Sequence, residues 1–195
     1  MSLSNKFAFK KRRIYEVIDV FTVIGVTVLL DEENFLWVGF NHVSQTIQRI
    51  CTNRGVYSSD LTLNDIFCLS QEPISIQSMT EDIIVLFIAI ERRRLNIIEA
   101  SKYISHGNGK EKTTRCKIYQ AVAILELANI IRKTENQSEY ELMPEFYITV
   151  PKVLKNSTID PSNIQSLLNW TDDSNDFSSD IISLRRKEFY TISHE

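Results

Sequence analysis

The sequence predicts a mainly helical protein with small β-hairpin wings, arranged as tandem winged-helix domains, a helix-turn-helix variant. Glycine and proline are scarce, at five and four of 195 residues, which argues against a Gly/Pro-rich sandwich or a disordered chain. A basic helical pattern followed by a hairpin pattern occurs twice, once near the start and again near residue 115. Two more helical patterns precede only the second copy, so the first domain is expected to lack its leading helices.

The first copy, residues 11–40, reads as a helix followed by a hairpin. Its apolar residues recur at helical spacing on one face: Ile14, Val17, Ile18, Phe21 and Ile24. Gly25 stands where a helix commonly ends. The β-branched "VTVLL", the polar "DEEN" and the aromatic "FLWVGF" then predict two strands joined by a turn.

The second copy repeats the first at a constant offset, so that Ile14 aligns with Ile118 and Val26 with Ile130. Before it, "TEDIIVLFIAIERRR" predicts a helix with a Thr-Glu-Asp cap, and "LNIIEASKYIS" predicts another. Helix, helix, helix and hairpin in this order are the elements of a winged helix.

Four segments follow from these patterns: a partial winged-helix domain over 1–69, a linker over 70–78, a second winged-helix domain over 79–150, and a C-terminal segment over 151–195. The last is expected to hold a short helix that starts at Asp160 and Pro161, and an acidic, serine-rich, mobile tail. Two explanations of the missing helices stay open: residues 42–69 replace them, or the chain is truncated.

The composition argues against several classes of protein. No apolar stretch approaches the length of a membrane span. The three cysteines are far apart and odd in number, which disfavours a zinc site or a disulfide scaffold and fits a reducing compartment. The three histidines are isolated. We therefore expect no enzymatic activity, no cofactor and no metal.

The densest positive cluster lies at the start of the first helix, although the chain carries a net charge of −3. Cations are electrostatically disfavoured there because the helix dipole already places partial positive charge at that end. A nucleic acid or another polyanion would explain them. Arg12 and Arg13 can each donate two hydrogen bonds to a guanine edge. Lys10 and Lys11 suit phosphate contacts, and Tyr15 lies one turn after Arg12, within reach of a phosphate oxygen.

The stretch "RRIYEVIDVFTVIGV" closely resembles the "RRIYD" signature of the E2 factor and DP cell-cycle transcription factors, and "FLWVGF" resembles the strand that closes their wing. The resemblance implies that Arg12 and Arg13 read a G/C core, that Tyr15 contacts the DNA backbone, and that domains act in pairs on a roughly palindromic site. Two positions depart from the family: its Asp is Glu16 here, and its Asn is Asp19.

The second copy matches the signature less well. It reads Arg115, Cys116, Lys117, Ile118 and Tyr119, so one arginine is lost and lysine replaces the other. Lysine cannot form the two-pronged contact of arginine, so Arg115 and Lys117 are expected to bind phosphate or guanine with less discrimination, and Tyr119 to take the place of Tyr15. Two such domains in one chain resemble the atypical members of the family, which need no DP partner.

The sequence thus predicts a nuclear, sequence-specific regulator of transcription that binds double-stranded DNA as a homodimer or an internal pseudo-dimer, or with a DP-like partner. The alternative is a degenerate winged-helix module that binds proteins without specific DNA binding. A continuous basic face favours the first hypothesis. Burial of Arg12 or Arg13 in ion pairs favours the second.

Overall fold

The computed structural model describes residues 11–31, 34–68, 73–106, 109–147 and 175–194. The helices in these ranges, numbered in chain order, are α1 (Lys11–Val23), α2 (Val43–Asn53), α3 (Leu63–Cys68), α4 (Ile76–Ala89), α5 (Ile97–Ser105), α6 (Glu111–Leu127) and α7 (Asn175–Ser193). The strands are β1 (Thr27–Leu29), β2 (Phe35–Trp37), β3 (Arg94–Asn96), β4 (Ile131–Lys133) and β5 (Glu139–Leu142). The fold is mainly α with small antiparallel sheets.

The predicted helix and hairpin of the first copy are confirmed as α1, β1 and β2. Val20 is fully buried on the inner face of α1, and so is Ile24 directly after the helix. Gly25 ends the helix in the left-handed region at φ 77°, which glycine adopts without a Cβ penalty. The backbone N–H of Val26 then donates to the carbonyl of Phe21 at 2.8 Å, and the two short strands pair antiparallel with Val28 opposite Leu36.

Helices α2 and α3 occupy the region whose role the sequence left open. Val43, Ile47 and Cys51 of α2 are fully buried, and α2 packs against α4. Burial raises the pKa of the Cys51 thiol to about 12, so that thiol stays protonated. Residues 43–66 therefore contribute to the core of the molecule.

The start of α4 corrects two boundaries. Ser75 caps this helix by accepting a hydrogen bond from the Ser78 N–H, so residues 76–78, assigned to the linker, form its first turn. Thr80, expected in a cap, is instead buried inside the helix and donates its hydroxyl to the Ile76 carbonyl at 2.7 Å.

The end of α4 also differs from the prediction. The helix stops at Ala89 rather than running through "ERRR", and Glu91 turns the chain at φ 46°. The arginines then lead into a strand that the sequence did not predict. This strand, β3, pairs with β5, which pairs with β4, in a three-stranded antiparallel sheet. Asn96 at its end caps α5 by accepting from the Ile98 N–H.

Helix α7 replaces part of the expected acidic tail. It runs over Asn175–Ser193, and Arg185 on its inner side is 1% exposed. That guanidinium donates to the carbonyls of Val56, Ser58 and Leu61 at 2.8 to 3.0 Å. The short helix expected at residues 160–161 lies outside the described residues.

One continuous hydrophobic core joins the two copies. It includes Val20 of α1 and the adjacent Ile24 together with Ile118 and Val122 of α6, and α4 lies between them as the most buried helix. The two predicted domains thus pack into a single body. No helix within the described ranges has the length and apolar character to cross a bilayer.

Candidate nucleic-acid interface

The arginines in the first turn of α1 point outward, and both pair with one buried glutamate. The Arg12 and Arg13 side chains are 79% and 60% exposed, whereas Glu16 is 8% exposed beneath them. Arg13 Nη1 donates to Glu16 Oε2 at 2.5 Å. Arg12 Nε lies 3.4 Å from Glu16 Oε1, an ion pair without hydrogen-bond alignment. One buried carboxylate, three and four residues along the helix, therefore orients both guanidinium groups and leaves most of each exposed.

The structure describes the other residues of the first copy that were predicted to contact DNA in less detail. Lys10 lies outside the described residues. Lys11 is the first residue of α1, and its side chain is not described. Tyr15 is 37% exposed on the same helix as the arginines.

Asp19 joins α1 to α4 by a hydrogen bond and lies within electrostatic range of Lys117 on α6. Its Oδ1 accepts a hydrogen bond from Gln77 Nε2 of α4 at 3.0 Å. Burial raises the pKa of its carboxyl group, while the Gln77 bond and the positive charge of Lys117 on α6 oppose that rise. Lys117 therefore lies within electrostatic range of Asp19, as the packing of α1 against α6 allows.

In the second copy, the residues predicted to contact DNA differ from one another in exposure and in their partners. Arg115 is 43% exposed and pairs with Glu111 one turn earlier, at 3.7 Å. Lys117 is half-buried. The Tyr119 hydroxyl donates to Ser138 Oγ in the second hairpin turn at 3.1 Å, so this hydroxyl supports the hairpin. The DNA contact expected of Tyr119 as the counterpart of Tyr15 stays a prediction.

The start of α6 holds further cations that the sequence argument did not assign. Lys110 precedes the helix and Lys112 lies in its first turn, both exposed, with Glu111 between them. Together with Arg115 and Lys117 they make this end of α6 basic. The sequence could have indicated them, because they lie directly before the weaker motif of the second copy.

A separate arginine cluster lies on the second sheet. Glu141 stands opposite Arg94 on one neighbouring strand and Arg132 on the other. Its carboxylate lies 3.1 Å from Arg93, 4.0 Å from Arg94 and 3.4 Å from Arg132. An open hollow of about 570 Å³ adjoins this cluster. The nearest predicted feature is "ERRR", which the sequence argument assigned to a helix end.

No metal-ligand cluster of His, Cys, Asp or Glu occurs within the described parts of the chain. His42 is exposed and faces Gln45, and the Nδ1–H of His194 donates to the Tyr190 carbonyl at the end of α7. The chemistry available in this region is therefore that of exposed guanidinium and ammonium groups on helix starts, which suits anion binding.

Comparison with protein-family models, with curated proteins and with solved structures finds no match for this chain.

Proposed function

We propose that this chain is a sequence-specific, double-stranded DNA-binding regulator of transcription, of the E2 factor/DP type, with α1 in the major groove of a GC-core site. The observation that carries the proposal is the pair of outward guanidinium groups, Arg12 and Arg13, fixed by the buried Glu16. A guanidinium held in one orientation loses less conformational entropy when it binds the O6 and N7 atoms of guanine.

The order of elements supports the finer fold assignment, a winged helix in the second copy. Helix α4, strand β3, helices α5 and α6 and the hairpin β4–β5 follow one another, with β3 paired to the last strand. In this arrangement α6 is the helix that enters the groove, and its basic start, Lys112 to Lys117, supplies phosphate contacts. The first copy contributes the equivalent of only the last helix and the wing.

The proposal is tested by fluorescence anisotropy with a labelled duplex that contains TTTSGCGC, where S is G or C, and with a scrambled duplex of equal composition. Arg12→Ala and Arg13→Ala are each expected to lower the preference for the specific duplex by about 1 to 3 kcal/mol, roughly 5- to 150-fold. Lys187→Ala removes an exposed cation on α7, away from α1, and serves as the matched control with unchanged binding.

The salt dependence of binding distinguishes phosphate contacts from base contacts. Lys112→Ala is expected to weaken binding to both duplexes equally and to reduce the slope of log K against log salt by about 1. Equal affinity of the wild type for the two duplexes at every salt concentration would refute the assignment.

A protein-binding module is the second candidate, and one observation favours it: the first hairpin exposes a set of large apolar side chains, Val28, Leu29, Leu30, Leu36, Trp37, Val38 and Phe40. The ion pairs of Arg12 and Arg13 with Glu16 would also suit it, but both guanidinium groups stay mostly exposed. Absence of any DNA binding by the wild type, together with capture of a folded protein partner through this hairpin, would favour this candidate.

A further inference from the structure

Three arginines of the second sheet surround a single carboxylate. Arg93, Arg94 and Arg132 lie 3.1 to 4.0 Å from the oxygen atoms of Glu141, whose side chain is 11% exposed. Their own side chains are 49%, 62% and 66% exposed. These four residues are called the sheet cluster below. Because one carboxylate balances only one of three positive charges, the sheet cluster has an excess of two.

The hydrogen-bond donors of the sheet cluster are mostly directed to solvent. A guanidinium group carries several N–H donors. Among the described residues, only the Arg132 pair with Glu141 has hydrogen-bond geometry, at 3.4 Å. Arg185 provides the contrast, since its buried guanidinium donates to three carbonyls at 2.8 to 3.0 Å. Arg185 therefore holds the fold together, whereas the arginines of the sheet cluster offer donors to an external anion.

An open hollow of about 570 Å³ extends the sheet cluster toward the end of α4 and toward α7. Arg92 lines it after α4, and Arg186 lines it from α7. Arg186 is fixed by hydrogen bonds from Nε to the Ile90 carbonyl at 2.8 Å and from Nη2 to the Glu91 carbonyl at 3.0 Å. The side chains of Glu91 and Glu139 also line the hollow and balance these two arginines, so the excess of two positive charges is unchanged.

The charge excess and the open shape favour a phosphate group carried on a peptide. A phosphorylated serine or threonine has a charge of about −1.5 to −2 at pH 7 and three acceptor oxygens, whereas a carboxylate or a phosphodiester carries a single charge. Guanidinium groups bind phosphate oxygens through paired hydrogen bonds. Because the hollow is open, a small free anion would stay largely hydrated in it. A phosphate on a peptide segment gains further contacts along the hollow.

We propose that the sheet cluster and its hollow bind a phosphorylated serine or threonine side chain of a protein partner, with Arg94 and Arg132 donating to the phosphate oxygens. The site adjoins β4, which follows the carboxyl end of α6 directly. The cations of α6 that are proposed to contact DNA lie in its first two turns, and this helix of 17 residues is about 25 Å long. The phosphate site is therefore separate from those DNA contacts.

Fluorescence anisotropy of the full chain, without DNA, tests the site. The probe is a labelled short peptide of alanine and glycine with one central phosphoserine, compared with the same peptide carrying aspartate. The phosphoserine peptide is expected to bind at least about 10-fold more tightly, because its side chain carries about twice the charge. Inorganic phosphate, added in excess, is expected to compete with it.

Substitutions in the sheet cluster locate the site. Arg94→Ala and Arg132→Ala are each expected to weaken binding of the phosphoserine peptide about 10-fold, because each removes a charged donor. Arg132→Lys keeps the charge without the two-pronged contact and should lose less. Arg49→Ala is the matched control, since Arg49 is an exposed arginine of α2 outside the hollow, and it should leave the affinity unchanged. Thermal unfolding checks that each variant is folded.

The outcomes separate this site from ion pairs that only stabilise the sheet. No binding of the phosphoserine peptide by the wild type, equal affinity for the aspartate peptide, or equal losses with Arg132→Ala and Arg49→Ala would each overturn the proposal. The preference of Arg132→Ala for the specific over the scrambled duplex, measured separately, is expected to match that of the wild type. Failure of the phosphate site and failure of the proposed DNA binding are therefore distinguishable.

Discussion

The two helix–hairpin units of this protein share their local structure and differ in their surroundings. The N–H of Val26 donates to the Phe21 carbonyl in the first unit, and the N–H of Ile130 donates to the Leu125 carbonyl in the second. A residue with positive φ precedes each of these bonds: Gly25 in one unit, Asn129 in the other. Local sequence therefore determines the end of the helix and the start of the hairpin in both units.

The difference lies in what covers each hairpin. In the second unit β3 adds a third strand, and Tyr140 and Leu142 of β5 are buried. In the first unit Leu36 and Trp37 of β2 stay about half exposed, although the Trp37 ring packs edge-on against Phe21 and Phe40. The same local structure thus gives a hairpin covered by a third strand in one place and an open apolar surface in the other.

The largest expected effect concerns the shared core. Ile130→Ala should lower the free energy of unfolding by about 3 kcal/mol, and Val26→Ala at the aligned position by somewhat less, because both side chains are fully buried. Urea denaturation followed by circular dichroism should give one transition for each variant, since one core spans both units. Two separate transitions, of which Val26→Ala shifts only one, would contradict the shared core.

The next comparison concerns the two helix ends. Gly25→Ala should cost about 2 kcal/mol, because alanine is strained at φ 77° and its Cβ would lie 2.4 Å from Thr46 Oγ1. Asn129→Gly should change stability by less than about 1 kcal/mol, in the stabilising direction, because glycine adopts φ 56° more easily. Adding Thr46→Ala to Gly25→Ala should recover the steric part of the loss, as chemical denaturation would show. No recovery would mean that the steric contact contributes nothing.

A smaller effect is expected on the outer faces of the two sheets. Glu141→Gln should destabilise the fold by about 1 kcal/mol, because Arg93, Arg94 and Arg132 lose their shared carboxylate. Leu36→Gln at the equivalent position should stay within about 0.5 kcal/mol of the wild type when measured at high dilution, since Leu36 is 54% exposed. Thermal unfolding at low and high salt checks this, and only the Glu141 effect should shrink with salt.

The smallest effect concerns Asp19, whose aligned residue in the second unit is Ala123. Burial raises the pKa of Asp19, so the folded state binds its proton more tightly than the unfolded state does, and the wild type loses stability as pH rises through that pKa. Asp19→Asn, which carries no titrating proton, should therefore be more stable than the wild type at pH 7 by less than about 1 kcal/mol. Denaturation at pH 7 and below pH 4 should show this gain disappearing in acid.

The exposed Asp180 on α7 offers the matched control for that pH series. Asp180→Asn should follow the wild type at both pH values. A gain for Asp19→Asn that persists unchanged in acid would show that the effect does not come from ionisation of Asp19.

The sequence predicted those elements whose pattern is local. The helix α1, both hairpins and the carboxylate of Glu16 beneath the two arginines follow from spacing along one element. The strand β3 did not, because three residues carry no periodicity and only pairing with β5 makes them a strand. The start of α4 was missed because Ser75 and Ser78 cap it from within a segment that reads as a linker.

The candidate site also combines local contacts, which the sequence indicates, with contacts that depend on tertiary packing. Arg12 and Arg13 could be placed from the sequence, since their anchor is three and four residues away. The Tyr119 hydroxyl could not, because its partner Ser138 lies across a turn of the second hairpin. The proximity of Lys117 to Asp19 likewise depends on how α1 and α6 pack on α4.

The buried guanidinium of Arg185 also sets an order of events during synthesis. The carbonyls of Val56, Ser58 and Leu61 receive their donors from a residue that is translated at least 124 positions later. Until that residue leaves the ribosome, these carbonyls of the loop after α2 lack the hydrogen bonds that Arg185 donates, and α3 lacks the Glu188 carboxylate at its amino end. The contacts that Arg185 and Glu188 make with the amino-terminal half therefore form only after α7 has been synthesised.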